Sequence, residues 1–184
     1  MEFLKKRSTA AVIAVALAVL FAFIGTSRSL NSLAKKVESK FTVGVDAGGY
    51  MQPSIQRQLE NRSTAAMGLV TIGNHYPELK SETEALSHAL HELQDADGIE
   101  ANYLTNEKLE KAYLALSESL ENYVNSEDAD AYASYVYTLS GAQSVIGQSL
   151  YNREVSEYYR TAKSFPTSVF GMFARGPEFF GVEG

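Results

Sequence analysis

The chain has 184 residues, a net charge of −6 and no cysteine. Disulfide frameworks, thiolate metal sites, cysteine nucleophiles and lipidated cysteines are therefore excluded. Charge is also uneven: residues 1–40 carry seven Lys/Arg and two Asp/Glu, whereas the acidic remainder argues against nucleic acid as a partner, because phosphate contacts need clustered cations.

Residues 1–7 form a basic segment containing Lys5, Lys6 and Arg7. Residues 8–27, STAAVIAVALAVLFAFIGTS, are uncharged. As a helix they would reach about 30 Å, the thickness of a bilayer's hydrocarbon. A cleaved signal peptide is the main rival, with Gly25 and Ser27 as its small residues, but Thr26-Ser27-Arg28 is a poor cleavage site. A buried helix of a soluble protein is a third reading. The residues after the span favour a retained anchor: Leu30, Leu33, Val37 and Phe41 recur on one helical face, continuing the span as a single helix. The basic leading segment, laid out like an export signal, predicts a cytoplasmic N-terminus and an extracytoplasmic domain in a single-pass cell-membrane protein.

Thr42–Gly49, TVGVDAGG, is glycine-rich but lacks the spacing of a phosphate loop, so a plain turn is expected. From Pro53, the stripe Ile55, Leu59, Arg62, Ala66, Leu69, Gly73 and Tyr76 runs up to Pro77. It resumes at Leu79, Thr83, Leu86, Leu90 and Leu93 with its phase nearly kept. This predicts one long helix over 53–95, kinked near Gly73–Pro77, with a helical hairpin turning at Asn74–Pro77 as the alternative. Asp95–Gly98 reads as a helix stop, because Leu104 occupies the position where a calcium loop needs Glu. Thr105 or Asn106 caps the next helix, with Leu109, Tyr113, Leu116, Leu120 and Tyr123 as its stripe. Asn125–Asp130 is an acidic loop.

The last helix is expected over Ala131–Phe165 and ends at Pro166. Its stripe is Tyr132, Tyr135, Leu139, Ala142, Ile146 and Leu150, then slips one position to Tyr151, Val155, Tyr158, Ala162 and Phe165. No strand alternation of useful length occurs. The expected fold is all-α: an antiparallel, four-helix, coiled-coil-like bundle of long helices over 28–166, following the N-terminal transmembrane helix. Four such helices would bring the tail, residues 167–184, back to the bilayer, whereas a hairpin at Pro77 would carry it to the distal tip. The tail's Phe170, Phe173, Phe179 and Phe180 are candidate membrane-interface residues; the competing reading makes them a cap on the bundle core.

Few residues suggest chemistry. His88 and His91 are three apart on a helix, with Glu84 and Glu92 nearby, but no H-E-x-x-H is present. G-x-S-x-G is absent, and Asp128 and Asp130 read as solvated loop carboxylates. No catalytic, metal or cofactor residue is assigned. A membrane-tethered metal-dependent sensor or enzyme is the alternative to a non-catalytic protein. Tyr151, Asn152, Val155, Tyr158, Phe165 and Pro166 form a candidate strip. Either it recognises a partner, or its polar groups make buried hydrogen bonds that fix the register between helices.

The same strip carries a resemblance. Tyr151-Asn152, Val155, Tyr158, Phe165-Pro166 and Gly171 match a pattern near the C-terminus of the LemA family, with Tyr159 standing where a second Asn is usual and Met172 in the Gly-Phe position. Glu121-Asn122-Tyr123 is similar to the family's Glu-Asn-Tyr-Pro, with Val124 in place of proline, while the family's Asp-Leu-Ile-Pro-Asn-Leu-Val is missing. The chain thus resembles a divergent member, specifically over its last 35 residues or so. The resemblance implies a bacterial, membrane-anchored helical bundle facing away from the cytosol, with no established catalytic residues. In some relatives it implies a role in organising membranes. The expected partners are the bilayer, through the span, and a protein of unknown identity; self-association is left open.

Overall fold

The structure is a computed structural model that describes residues 7–181. It is all-α, with about 75% of those residues helical. The elements are α1 (Arg7–Val43), β1 (Val45–Asp46), β2 (Met51–Gln52), α2 (Ile55–Gly73), a 3-10 turn (Pro77–Leu79), α3 (Lys80–Gln94), α4 (Ile99–Leu120), α5 (Ala129–Gly147), α6 (Tyr151–Ala162) and the single-turn α7 (Thr167–Phe170). They divide between two units. Unit 1 holds residues 7–38 and 153–177; unit 2 holds 39–152 and 178–181. The chain passes between them inside α1, inside α6 and after Pro177.

In unit 2, α2 packs against α3 and α5, and α3 packs against α4. The stripes seen in the sequence form the core: Leu59, Leu69, Leu86, Leu109, Leu116 and Leu139 are all buried. Tyr123 is exposed beyond the end of α4, and Tyr76, Tyr132, Tyr135 and Leu150 are half-buried. The bundle therefore consists of α2–α5, rather than four helices counted from the membrane.

One charged side chain sits in this core. Arg62 of α2 is fully buried. Its Nη2 donates to Glu110 Oε2 of α4 at 2.6 Å, and its Nη1 donates to Gln143 Oε1 of α5 at 2.7 Å and to the Leu139 carbonyl at 3.3 Å. Asn106 Nδ2 of α4 also donates to Gln143 Oε1.

The fold departs from the pattern expected of the sequence at four places. Thr42 and Val43 end α1, and the residues that follow enter a small antiparallel hairpin, with Val45 opposite Gln52. Gly44, Gly48 and Gly49 all have positive φ, and Asp46 Oδ1 accepts the Gly48 and Gly49 N–H groups. At Pro77 the hairpin alternative holds: α2 and α3 are separate helices lying against each other. Their close approach is made at Gly73, where an added Cβ would strike the buried side chain of Thr83. Helix α4 begins at Ile99 rather than near residue 105. Gly98 supplies a φ of 94°, and Glu178 Oε2 accepts the Ile99 N–H, so Asn106 lies buried within the helix. Finally, the expected 131–165 helix is two helices. Gln52 of β2 accepts the Leu150 N–H at 2.8 Å and donates to the Gln148 carbonyl at 2.9 Å, satisfying backbone groups where the helix opens.

The turn between α2 and α3 is tied to the loop before α5. Tyr76 donates its hydroxyl to Asp128 Oδ2 at 2.9 Å, and His75 Nδ1 lies 3.0 Å from the same oxygen. The Tyr76 hydroxyl also accepts the Asn125 N–H. Asp128 thus joins two loops, not merely solvating its own. The bonds from His75 and then Tyr76 hold its carboxyl below the usual carboxylate range.

Both contacts can be tested by stability. Gly73→Ala lowers it by about 1–3 kcal/mol in denaturant titration, because overpacking against Thr83 outweighs the gain in helix propensity. A carboxylate whose pKa is depressed in the fold stabilises it above the unfolded value, about 3.9, and loses that contribution as pH falls through the folded value. Asp128→Asn therefore melts lower than the parent near pH 6, and the gap narrows as pH falls through the depressed folded value.

Candidate functional site

Unit 1 is built on α1. Its first half is a continuous helix that exposes Val12, Val15, Leu20 and Phe21, among other apolar residues. An 18-residue stretch within it has a mean hydropathy of 2.4, and none of it is buried. Gly25 does not interrupt the helix, which is long and apolar enough to cross a membrane. Farther along, Leu30, Ala34, Val37 and Phe41 are buried, while Leu33 is exposed. Ala34 therefore takes the stripe position assigned to Leu33, which keeps the 4, 3, 4 spacing of one helical face. Lys5 and Lys6 lie outside the described residues.

The segment after α6 returns to the end of the apolar stretch. The ring of Phe170 packs edge-on to Phe23, with centroids 5.1 Å apart. Ser27 Oγ donates to the Phe170 carbonyl at 3.3 Å, and Asn31 Oδ1 accepts the Arg175 N–H at 3.0 Å. Gly171 lies against Leu30 too closely for any side chain. This docking leaves Phe165 (83% exposed), Val169 (48%), Met172 (65%) and Phe173 (80%) in the open.

The tail therefore splits. Phe170 lies against Phe23 of the apolar helix, and Phe173 is exposed within the same unit. Phe180 is instead buried in unit 2, against Phe41 at 5.8 Å and edge-on to Tyr103 at 5.4 Å. Phe179, half-buried, belongs to the same unit. These two rings are held within the bundle unit because their backbone is clasped there.

The clasp is the strip on α6. In unit 2, the Tyr151 hydroxyl donates to the Glu178 carbonyl at 2.8 Å. Asn152 bonds the Phe180 backbone twice, donating to its carbonyl at 2.8 Å and accepting its N–H at 2.9 Å. Tyr151 also stacks edge-on against Phe41. In unit 1, Tyr158 donates to the Arg175 carbonyl at 3.3 Å and Tyr159 to the Pro177 carbonyl at 3.1 Å, beside the buried Val155. Burial, with the nearby Tyr159 and Glu38, raises the Tyr158 pKa. The strip thus fixes the extended C-terminal segment, not the register between helices. Phe165 and Pro166 are exposed and take no part in it. Tyr159 is a member that the sequence strip lacks; it stands at the position of the second Asn in the resembled pattern, and that is its only signal.

Little else is arranged for chemistry. His88 lies beside Glu92, 3.5 Å away, and His91 Nδ1 contacts the Ser87 carbonyl on its own helix. Lys108 pairs with Glu92, donating a hydrogen bond that holds that carboxyl below its usual range. No group of three or more His, Asp or Glu is placed to hold a metal ion among the described residues. A cleft of about 650 Å³ beside the start of α2 is lined by Met51, Gln52, Ser54, Arg57 and Gln58, with no histidine to activate the Ser54 hydroxyl. A smaller cavity of about 230 Å³ is lined by Tyr103, Asn106, Glu107, Gln143 and Asn152. Comparison finds no matching protein-family model, curated protein or solved structure.

If the strip is a clasp, Asn152→Leu lowers stability by about 1–3 kcal/mol, since two backbone groups of Phe180 lose their partner. Hydrogen exchange at the Phe180 amide, read by NMR, accelerates in parallel. An equally stable variant with unchanged exchange contradicts this role.

Proposed function

We propose that this chain is a membrane-anchored, non-catalytic helical protein of the LemA type, whose bundle binds a protein partner or organises the membrane that holds it. The observation that carries the reading is the unburied apolar stretch of α1, continuous with a helix that runs on into unit 2. An apolar surface of that length left in water is strongly unfavourable, and insertion into lipid removes it. Charge supports a protein or lipid partner over nucleic acid: unit 2 carries six Lys/Arg and seventeen Asp/Glu, a net −11. The α6 clasp supports the family reading, because Tyr151, Asn152 and Tyr158, the residues that carry the resemblance, each make a bond that the C-terminal segment needs.

We place the N-terminus in the cytoplasm and unit 2 outside the cell membrane. Lys5, Lys6 and Arg7 on one flank face Arg28, Lys35, Lys36 and Lys40 on the other, so flanking charge alone does not favour a cytoplasmic N-terminus. The export-like layout of the leading segment decides the orientation.

Expression in a bacterial host tests each part. The chain should stay in the membrane pellet after alkaline carbonate washing and need detergent for release. Its intact mass should show no loss of the roughly 3 kDa that cleavage near Ser27 would remove, at ~110 Da per residue. Protease added to spheroplasts should degrade unit 2. Carbonate release would overturn the anchor, and protection of unit 2 would reverse the orientation.

A further inference from the structure

We infer that the exposed apolar patch formed by Phe165, Val169, Met172 and Phe173 is a second membrane contact, lying in the bilayer interface beside the exit of the α1 span. The inference rests on the reading of α1 as a transmembrane helix and adds a second lipid-binding element to it.

Placement is the main argument. Phe170 packs on Phe23, and its carbonyl accepts from Ser27. Phe23 lies within the apolar stretch and Ser27 at its end. When that stretch spans hydrocarbon, Ser27 and Arg28 mark its polar boundary, and α7 is held at the same depth. The patch is therefore held within reach of the interface once the span is inserted, and its exposed rings draw it in.

The chemistry agrees with the placement. Four large apolar side chains, two of them Phe rings at least 80% exposed, fall within nine residues of sequence. Elsewhere on the tail the same residue type is buried, as Phe180 is. Amphipathic interfacial segments lay such residues into the headgroup–acyl boundary while cations stay with the headgroups. Beyond the span, unit 1 carries seven Lys/Arg against three Asp/Glu, a net +4, in contrast to −11 on unit 2. Arg28, Arg160 and Lys163 are exposed. A second copy of the chain or a protein partner offers no such match to a patch that adjoins a lipid-facing helix.

The absence of native cysteine permits a site-specific test on the full chain. An environment-sensitive fluorophore is attached at Ser168→Cys, an exposed polar position within the patch that leaves its apolar residues intact. Ile13→Cys reports the span, and Tyr137→Cys, 80% exposed in unit 2, reports water. The chains are reconstituted in phosphatidylcholine vesicles containing phosphatidylglycerol and nitroxide lipids, with the quencher either near the headgroup or deep in the acyl chain. The expected result is preferential shallow quenching at Ser168, deep quenching at Ile13 and none at Tyr137. In the Ser168→Cys background, Phe165→Ser with Phe173→Ser should reduce shallow quenching by about twofold or more, since interfacial partitioning loses two rings. It should leave Ile13 quenching unchanged when introduced into that reporter.

If Ile13 is quenched while Ser168 behaves like Tyr137, the second contact is overturned and the anchor stands. If Ile13 is also unquenched, the anchor reading falls, and this inference with it. A blue shift at Ser168 that rises with protein density, without nitroxide quenching, assigns the patch to a second copy and overturns the lipid contact.

Discussion

A guanidinium removed from water must find polar partners inside the protein, and unit 2 is arranged around that requirement at Arg62. The side chain projects from α2 and is met by Glu110 of α4 and by Gln143 and the Leu139 carbonyl of α5. Taking a partner away would leave a buried charge unpaired, which is far more costly than the pair itself is favourable. Hydrophobic packing alone tolerates small slips between helices, since one leucine can replace another in a groove. The short bonds from one guanidinium to two other helices do not tolerate a slip of one turn. Arg62 Nε and Asn106 Oδ1 have no protein partner, so donor and acceptor capacity remain within the same network.

The need to satisfy polar groups also explains where the helices stop. At 148–150 the backbone leaves helical geometry, and a single glutamine amide, that of Gln52, supplies both a donor and an acceptor. At Ile99 the Glu178 carboxylate takes an N–H that a helix start leaves unpaired, in a position also favoured by the helix dipole. The C-terminal segment around residues 174–180 is extended without joining a sheet. Its carbonyls therefore need side-chain donors, and three tyrosine hydroxyls and one asparagine amide on α6 provide them. A tyrosine suits this position because it can bury its ring and present a hydroxyl at its tip.

These long-range bonds mark the limit of what the sequence reveals. Apolar periodicity is local, so the helical stripes can be read directly, as can the unbroken course of α1. The capping of α4 by a residue 79 positions away cannot be read. Thr105 and Asn106 resemble caps because their residue types are cap formers, yet Asn106 is committed to Gln143. The break after α5 does leave a trace, in the one-position slip of the stripe between Leu150 and Tyr151. A slip of one residue turns the buried face by about 100°, too far for one straight helix to serve both stripes. Arg62 leaves a trace as well: an arginine in register with Leu59 and Ala66 has to be paired or misassigned. At the candidate site, Tyr151, Asn152 and Tyr158 are identifiable, but not their partners, because backbone carbonyls carry no signature in sequence.

The fate of the tail shows why counting helices is a poor guide to it. A hairpin at Pro77 should send the C-terminus away from the membrane-proximal end of α1. The hairpin is present, yet Phe170 touches Phe23. The break before α6 adds an element that the parity count did not include, so that count loses its premise. What decides the position of each aromatic residue is instead the solvent available to it. Phe180 finds an apolar environment between Phe41 and Tyr103. Phe173 finds none within the protein. At roughly 25 cal/mol per Å² of apolar surface, a ring left in water forfeits stabilisation that a core position supplies. The proposed bilayer contact would supply the apolar environment that this ring lacks.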